Sequence, residues 1–121
     1  MKSDLIEFVE TSFGSVWSLE LLLLLYRNQG RSWTSDQLVR ELRSSEVVVT
    51  ESVSSLMAAG LVVSEADDSI RYGTASADQN DLVQRLEAEY RRTPAAIRRL
   101  ILHNPTKKLK SFVDAFRLKK S

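Results

Sequence analysis

Apolar residues recur at helical spacing in the first part of the chain and predict two helices. The first begins at Ser3 or Asp4, either of which can cap it, and runs to about Ser12. The second, SVWSLELLLLLYRNQG, begins at Ser15, is apolar nearly all round and ends at Gly30. Its consecutive leucines would also suit a buried strand, but the length of the run favours a helix. We therefore expect this helix at the centre of the core.

A short β-prone segment and a capped helix are predicted next. Residues 31–33 are partly β-prone, and Thr34 and Gln37 then have the spacing of a capping box. This pattern predicts a helix that begins at Ser35 and ends near Arg43. The side chains spaced to point inward are Leu38, Val39 and Leu42.

Another helix and a hairpin follow after a tight connection. Ser45 can cap a helix over residues 46–59, and Gly60 ends it because glycine readily adopts a left-handed backbone. Period-two β-branched residues over 61–73, interrupted by turn formers at 66–69, then predict a small hairpin. The helix positions expected in the core are Val49, Val53 and Leu56.

The C-terminal third predicts more helix. Residues 74–80 are small and polar and are expected to form a loop, in which Asp78 or Asn80 caps a helix over 81–92. A further helix is predicted to begin at Pro94 with Thr93 as its cap and to end at Asn104 and Pro105. A last amphipathic stretch is predicted over 109–116.

Two short helices joined by a tight turn and followed by a hairpin resemble the winged helix-turn-helix transcriptional regulators of the bacterial MarR-like and PadR-like kind. The resemblance covers about residues 16–73, roughly half of the chain. Its most specific piece looks like the end of the family's recognition helix and the first strand of its wing. That piece is Val53-x-x-Leu56-x-x-x-Gly60-Leu61-Val62.

The resemblance implies a mainly α fold with a small β-hairpin wing, a winged helix-turn-helix plus C-terminal helices. The expected domains are a winged helix-turn-helix domain with an N-terminal helix over 1–73 and a basic helical C-terminal extension over 81–121, used for dimerisation or docking. The implied function is transcription regulation by a homodimer that binds double-stranded DNA.

In this family the second helix of the pair enters the major groove and the wing rests on the DNA backbone or minor groove. The resemblance therefore implies DNA-binding positions in this sequence. The base-facing positions are Val48, Thr50, Glu51 and Ser54, those near phosphates are Arg43 and Ser45, and the wing contributes Arg71.

The sequence departs from the family pattern in the charge of these elements. The helix over 46–59 has no basic residue and offers Glu46 and Glu51, and the predicted wing tip is Asp67 and Asp68. Glutamate can accept a hydrogen bond from cytosine N4 and valine can contact a thymine methyl. Phosphate neutralisation nevertheless supplies much of the affinity for DNA, so cations elsewhere must compensate.

A second function remains open because of this departure. Winged helices also serve as protein–protein interaction modules, and exposed Val47 and Val48 would suit such a role. In this alternative the acidic surface docks a basic partner of the transcription machinery without reading DNA.

The formal net charge of +1 conceals two opposed blocks. Residues 1–90 have seven Lys/Arg and fifteen Asp/Glu, a net −8, whereas residues 91–121 have ten Lys/Arg and one acid, a net +9. The basic residues that could contact phosphate or a dimer partner are Arg91, Arg92, Arg98, Arg99, Lys107, Lys108 and Lys110.

Three roles are open for this basic block. It can form a dimer interface from the helices over 81–92 and 94–103, pack on its own acidic domain, or bind nucleic acid or a membrane surface. Dimerisation or packing on the same chain is the preferred interpretation, with the excess charge available to phosphates. Any phosphate contact is then expected mainly from this block.

Composition excludes several other classes of protein. The 121 residues, 43% hydrophobic, suit one compact domain with its own core, and without cysteine no disulfide or thiolate chemistry is expected. No apolar run approaches a membrane span and no signal peptide is recognised, which predicts a soluble, cytoplasmic protein. Glu20 is expected at the exposed edge of its helix, and His103 has no metal or catalytic partner. No enzymatic motif is found, so neither an enzyme nor a metal or other cofactor is expected.

Overall fold

A computed structural model of the chain describes residues 1–103, which form six helices and one antiparallel two-stranded hairpin. The elements are α1 (Ser3–Ser12), α2 (Val16–Arg27), α3 (Ser35–Leu42), α4 (Glu46–Ala58), β1 (Val62–Ser64), β2 (Ile70–Tyr72), α5 (Ala77–Arg92) and α6 (Pro94–Leu102). The expected mainly α class with a small hairpin is confirmed. The amphipathic stretch predicted over 109–116 lies outside the described residues, as do Lys107, Lys108 and Lys110.

Helix α2 lies at the centre of the core, as its sequence predicts. Its N-terminus is fixed by a capping box, in which Ser15 and Ser18 each accept a hydrogen bond from the other's backbone N–H at 3.2 Å. The elements packed against it include α3, α4, α6 and β2. Its fully buried leucines are Leu19, Leu21, Leu22, Leu23 and Leu25.

Helices α3 and α4 begin at the caps that the sequence predicts. The Thr34 hydroxyl accepts from the Gln37 N–H at 3.2 Å, and the Thr34 N–H donates to Gln37 Oε1 at 3.0 Å. The Ser45 hydroxyl accepts from the Val48 N–H at 3.2 Å. Between the two helices, Arg43 adopts a left-handed backbone with φ 53° and closes α3. The connection is therefore short and fixed at both ends.

The hairpin is joined to the segment before α3 by a single residue pair. Trp33 and Ile70 exchange two backbone hydrogen bonds of 2.8 Å, which places Trp33 beside β2 as an isolated antiparallel bridge. Gly60, with φ 75°, turns the chain from α4 into the hairpin. The paired residues of the hairpin are Val62 with Tyr72, Val63 with Arg71 and Ser64 with Ile70.

The predicted start of the fifth helix is wrong. The sequence predicted a loop over 74–80 with Asp78 or Asn80 as cap, but α5 begins at Ala77 and is capped by Ser76, whose hydroxyl accepts from the Gln79 N–H at 3.1 Å. Ser76 and Gln79 have the same three-residue spacing as Thr34 and Gln37, so this cap is also visible in the sequence, and a tertiary contact adds to it. The Gln79 side chain donates to the carbonyl of Ala59 at the end of α4 at 2.9 Å and so fixes the first turn of α5.

Two predicted caps differ in detail. Ser3 and Asp4 already lie inside α1, whose cap position is Lys2 without a side-chain hydrogen bond. Thr93 does occupy the cap position of α6, before Pro94, but its hydroxyl donates to the Glu89 carboxylate at 2.7 Å instead of capping the helix. Both helix starts are consequently close to their predicted residues but held by different contacts.

A buried carboxylate joins α5 to α2. Glu87 is 8% exposed and accepts from Nε of Arg27 at 3.0 Å and from Nε of Arg91 at 2.7 Å. Burial alone would raise the pKa of Glu87, but the hydrogen bonds from the two guanidinium groups outweigh it and lower the pKa below the ordinary value of 4.5. The ionised form of Glu87 is therefore the one that stabilises the fold.

The substitution Glu87→Gln is expected to lower the free energy of unfolding by about 1–2 kcal/mol at neutral pH, since both arginines remain partly exposed and are resolvated. Because the folded pKa is lowered, this stabilisation is present above the unfolded pKa and is lost as the pH falls through the folded value. Urea unfolding at neutral pH and at about pH 3 should show that the gap between the two proteins narrows in acid. Glu41→Gln, at an exposed position of α3, is the control. A gap independent of pH would contradict this role of Glu87.

Candidate nucleic-acid interface

The outer face of α4 is open to solvent. The inner face packs through Val49, Ser52 and Leu56, which are buried, while Val53 is only partly buried at the edge of the core. Of the base-facing positions implied by the family resemblance, Val48 is half-buried and the others are exposed. These exposed positions are Thr50, Glu51 and Ser54, and Val47 beside them is 66% exposed.

The charge of this outer face is negative throughout. Helix α4 contains no Lys, Arg or His, and its two charged residues are Glu46 and Glu51. Glu46 is the first residue of the helix, where a carboxylate interacts favourably with the helix dipole. Glu51 lies in the middle of the helix and has no hydrogen-bond or ion-pair partner among residues 1–103. A cation for phosphate must therefore come from another element.

The arginines of residues 1–103 fall into two groups. Those within 4 Å of a carboxylate of the described chain are Arg27, Arg71, Arg85, Arg91 and Arg92. Those with no carboxylate of the described residues within ion-pair distance are Arg31, Arg40, Arg43, Arg98 and Arg99, and the first three precede α4 in the chain. Of these, Arg98 donates to the Tyr90 hydroxyl at 3.1 Å.

Arg40 and Arg43 are three residues apart in the chain and both precede α4. Arg40 is in the last turn of α3, Arg43 closes that helix three residues later, and both are exposed. Arg31 is also exposed, and its guanidinium lies 3.7 Å from the centre of the Trp33 ring. Arg43 is among the positions that the family resemblance implies, whereas Arg40 and Arg31 are not, although the three-residue spacing of Arg40 and Arg43 before the turn is visible in the sequence.

The cation of the hairpin is held inside the hairpin. Nε of Arg71 on β2 donates to the Glu65 carboxylate, so a phosphate would have to compete with Glu65 for the guanidinium. At the tip, Asp67 accepts from the Ser69 N–H at 3.1 Å and from the Ser69 hydroxyl at 2.6 Å, and these bonds lower the pKa of Asp67. Asp68 has φ 66°, a backbone conformation common in turns. The two tip acids are thus turn formers.

Three of the four described arginines of the basic block contact their own chain, although Arg91 and Arg92 stay exposed. Arg91 pairs with Glu87 and Arg92 with Glu89, while Arg98 contacts the Tyr90 hydroxyl, which in turn donates to the carboxylate of Glu20 on α2. Burial and the Glu20 hydrogen bond raise the pKa of Tyr90. Glu20, expected at an exposed edge, is half-buried. Arg99 is exposed and has no such contact with residues 1–103.

The two charged regions pack against different parts of the fold. Helix α4 makes its main contacts with α2, α3 and β1, whereas α6 makes its main contacts with α1, α2 and α5. The element they share is α2. The arginines of α6 are therefore not part of the surface formed by α3, α4 and the hairpin.

Comparison with protein-family models, with curated proteins and with solved structures finds no match to this chain. Within residues 1–103, no three or more His, Cys, Asp or Glu side chains are grouped so as to hold a metal ion. No single helix in this range is long and apolar enough to cross a membrane. The one pair that meets both criteria together, α1 with α2, is bent by 109°.

Proposed function

We propose that this protein is a winged helix-turn-helix transcriptional regulator that binds double-stranded DNA. In this proposal α4 enters the major groove, and Arg40 and Arg43 bind phosphates beside it. The observation that supports it best is the placement of two exposed arginines, free of carboxylate partners among the described residues, directly before an exposed helix face. In helix-turn-helix proteins the first helix crosses the DNA backbone at this place.

The connectivity of the fold is compatible with this proposal. Helix α2, the Trp33 segment, α3, α4 and the hairpin follow in the order expected for a winged helix. The bridge between Trp33 and Ile70 adds a short third partner to the hairpin and fixes it next to α3. The hairpin is then available as the wing, and the C-terminal helices as the dimer contact. Leu102 of α6, which is 58% exposed, offers an apolar side chain for that contact.

With two such arginines in each protomer, we expect few phosphate contacts and an affinity for DNA that falls as the salt concentration rises. Each phosphate neutralised contributes a slope of about −0.9 to the logarithmic dependence of affinity on salt. Two arginines per protomer, doubled in a homodimer, correspond to a slope of roughly −4. The carboxylates of α4 oppose binding to every sequence equally, so non-specific affinity should be weak.

Fluorescence anisotropy with a labelled duplex of mixed sequence tests this function directly. We expect binding at about 50 mM salt that weakens strongly by about 200 mM. Absence of binding at the lower salt concentration, or binding that salt does not affect, would contradict the proposal.

A second candidate function is a protein-docking module, favoured by the apolar side chains exposed near α4. Val47 is 66%, Met57 44% and Val63 38% exposed, and Val47 lies one helical turn from Glu51. Such a surface fits a basic protein of the transcription machinery. Binding to purified RNA polymerase that Val47→Ser with Met57→Ser weakens by about tenfold, together with no DNA binding, would favour this candidate over the first.

The ion pair of the hairpin gives a further prediction for DNA binding. Glu65→Gln should raise the affinity for DNA at low salt by about three- to tenfold, because it releases the Arg71 guanidinium and removes a negative charge. Asp68→Asn removes the same charge without touching Arg71, and asparagine tolerates the left-handed backbone of that position. Anisotropy titrations should therefore show a larger gain for Glu65→Gln than for Asp68→Asn. Equal gains would mean that Arg71 does not reach the DNA.

A further inference from the structure

The outer face of α4 has an unusual set of hydrogen-bonding groups. From Glu46 to Ala58 the helix has no side-chain N–H donor, and its exposed polar groups are carboxylates and hydroxyls. The exposed Val47 adds methyl groups to the same face. Such a surface can accept hydrogen bonds and contact methyl groups, but it lacks the Arg, Lys, Asn or Gln side chains that commonly read bases.

Glu51 has no structural role that accounts for its position. Its neighbours on the helix surface are Val47, Val48, Ser54 and Ser55, so no cation lies at the spacing of an intrahelical ion pair. It is exposed, and no residue of the described chain is bonded to its carboxylate. Glu46, by contrast, lies in the first turn, where the helix dipole favours it. The Glu51 carboxylate is thus a free acceptor at the centre of the exposed face.

The edges of the bases in the major groove determine what such an acceptor can bind. Cytosine presents the N4 amino donor and adenine the N6 amino donor next to an acceptor, whereas guanine presents only the acceptors N7 and O6. Thymine presents a methyl group. A carboxylate opposite guanine meets two acceptors and is repelled, but opposite cytosine it gains a hydrogen bond.

We propose that Glu51 is a specificity-determining residue that accepts a hydrogen bond from the N4 amino group of a cytosine, with Val47 contacting a thymine methyl nearby. This inference rests on the proposed DNA-binding function and names the bases that the same surface reads. The repulsion between Glu51 and phosphates acts at every sequence, but only cytosine offers an amino donor without a ring acceptor beside it, since the N6 amino group of adenine lies next to N7, which repels a carboxylate. We expect a preference for cytosine over the other bases at that position of about 10- to 100-fold.

Selection from a duplex pool with a randomised central segment tests the inference on many candidate sites at once. The proteins compared are the full chain and its variants Glu51→Gln, Glu51→Ala and, as a matched control for charge, Glu46→Gln. Wild type and Glu46→Gln should enrich cytosine at one position of the site. Glu51→Gln should change that preference to adenine, because glutamine can bind adenine N6 and N7 together, and Glu51→Ala should lose it at that position alone.

The outcomes separate base reading from simple repulsion and from failure of the underlying function. If Glu51 only repels phosphates, both Glu51 variants will bind all sequences more tightly and will enrich the same bases as wild type, which overturns the inference and leaves DNA binding intact. If no protein binds or enriches any duplex, the DNA-binding function and the inference fail together. Circular dichroism of each variant verifies that the substitution at this exposed position leaves the helices folded.

Discussion

Replacing Arg40 and Arg43 together by glutamine is expected to lower the affinity for DNA by about 10- to 100-fold at moderate salt. Both side chains are exposed beside the start of α4 and lack a carboxylate partner among the described residues, so their charge is available to phosphates. The salt dependence should become shallower by about 2 in logarithmic slope for each protomer. Glutamine retains Cβ, so the cost of the left-handed backbone at Arg43 is unchanged.

The matched control removes the same charge from the other side of the fold. Arg92→Gln with Arg99→Gln changes two exposed arginines on α5 and α6, which make no main contact with α4. This pair should alter the affinity less than about threefold at the same salt concentration. If the control pair abolishes binding and the Arg40 and Arg43 pair does not, the basic block is the phosphate-binding element and the assignment to α3 is wrong.

Two leucines of α2 that are two residues apart should differ strongly in their effect on stability. Leu22 is fully buried, and Leu22→Ala is expected to lower the free energy of unfolding by about 3 kcal/mol, since it removes packing and leaves a cavity. Leu24 is only partly buried, and Leu24→Ala should cost about 1 kcal/mol. Urea unfolding followed by circular dichroism measures both. Equal losses would contradict the orientation of α2 in the core.

The features that the sequence predicts best are local ones. Capping at Thr34 with Gln37 and at Ser45 depends on residues three apart, so spacing alone is sufficient to find these helix starts. The left-handed turn at Gly60 is likewise a property of one residue. Helix α2 can be recognised in the sequence because its apolar run is longer than a typical β-strand.

The features that the sequence does not predict depend on contacts between distant residues. The Gln79 side chain bonds the carbonyl of Ala59 and so joins the start of α5 to the end of α4, and no pattern in the sequence reveals that bond, although the Ser76 cap itself is a local spacing that the sequence contains. The bridge of Trp33 to Ile70 joins segments far apart in the chain. Whether an arginine is paired with a carboxylate also depends on tertiary structure. Arg71 and Arg43 look equally available for phosphate in the sequence, but in the fold Arg71 has Glu65 as a neighbour.

The contacts of the described arginines change which of them we expect to bind phosphate. The net charges of residues 1–90 and 91–121 led us to expect phosphate contacts mainly from the basic C-terminal block. Among residues 91–103, Arg91 and Arg92 pair with carboxylates of the same chain while staying exposed, and Arg98 contacts the Tyr90 hydroxyl. The cations of the block beyond residue 103 lie outside the described residues. The proposed function therefore places phosphate contacts on arginines inside the acidic block, next to the helix that they serve.

Amide chemical-shift mapping tests the central role of α4 most directly. Isotope-labelled protein would be titrated with a duplex at about 50 mM salt, and the shifts followed residue by residue. We expect the largest changes on residues 40–54, with smaller ones in the hairpin and little change over α6. Changes centred on residues 91–103, with the amides of α4 unmoved, would contradict this expectation.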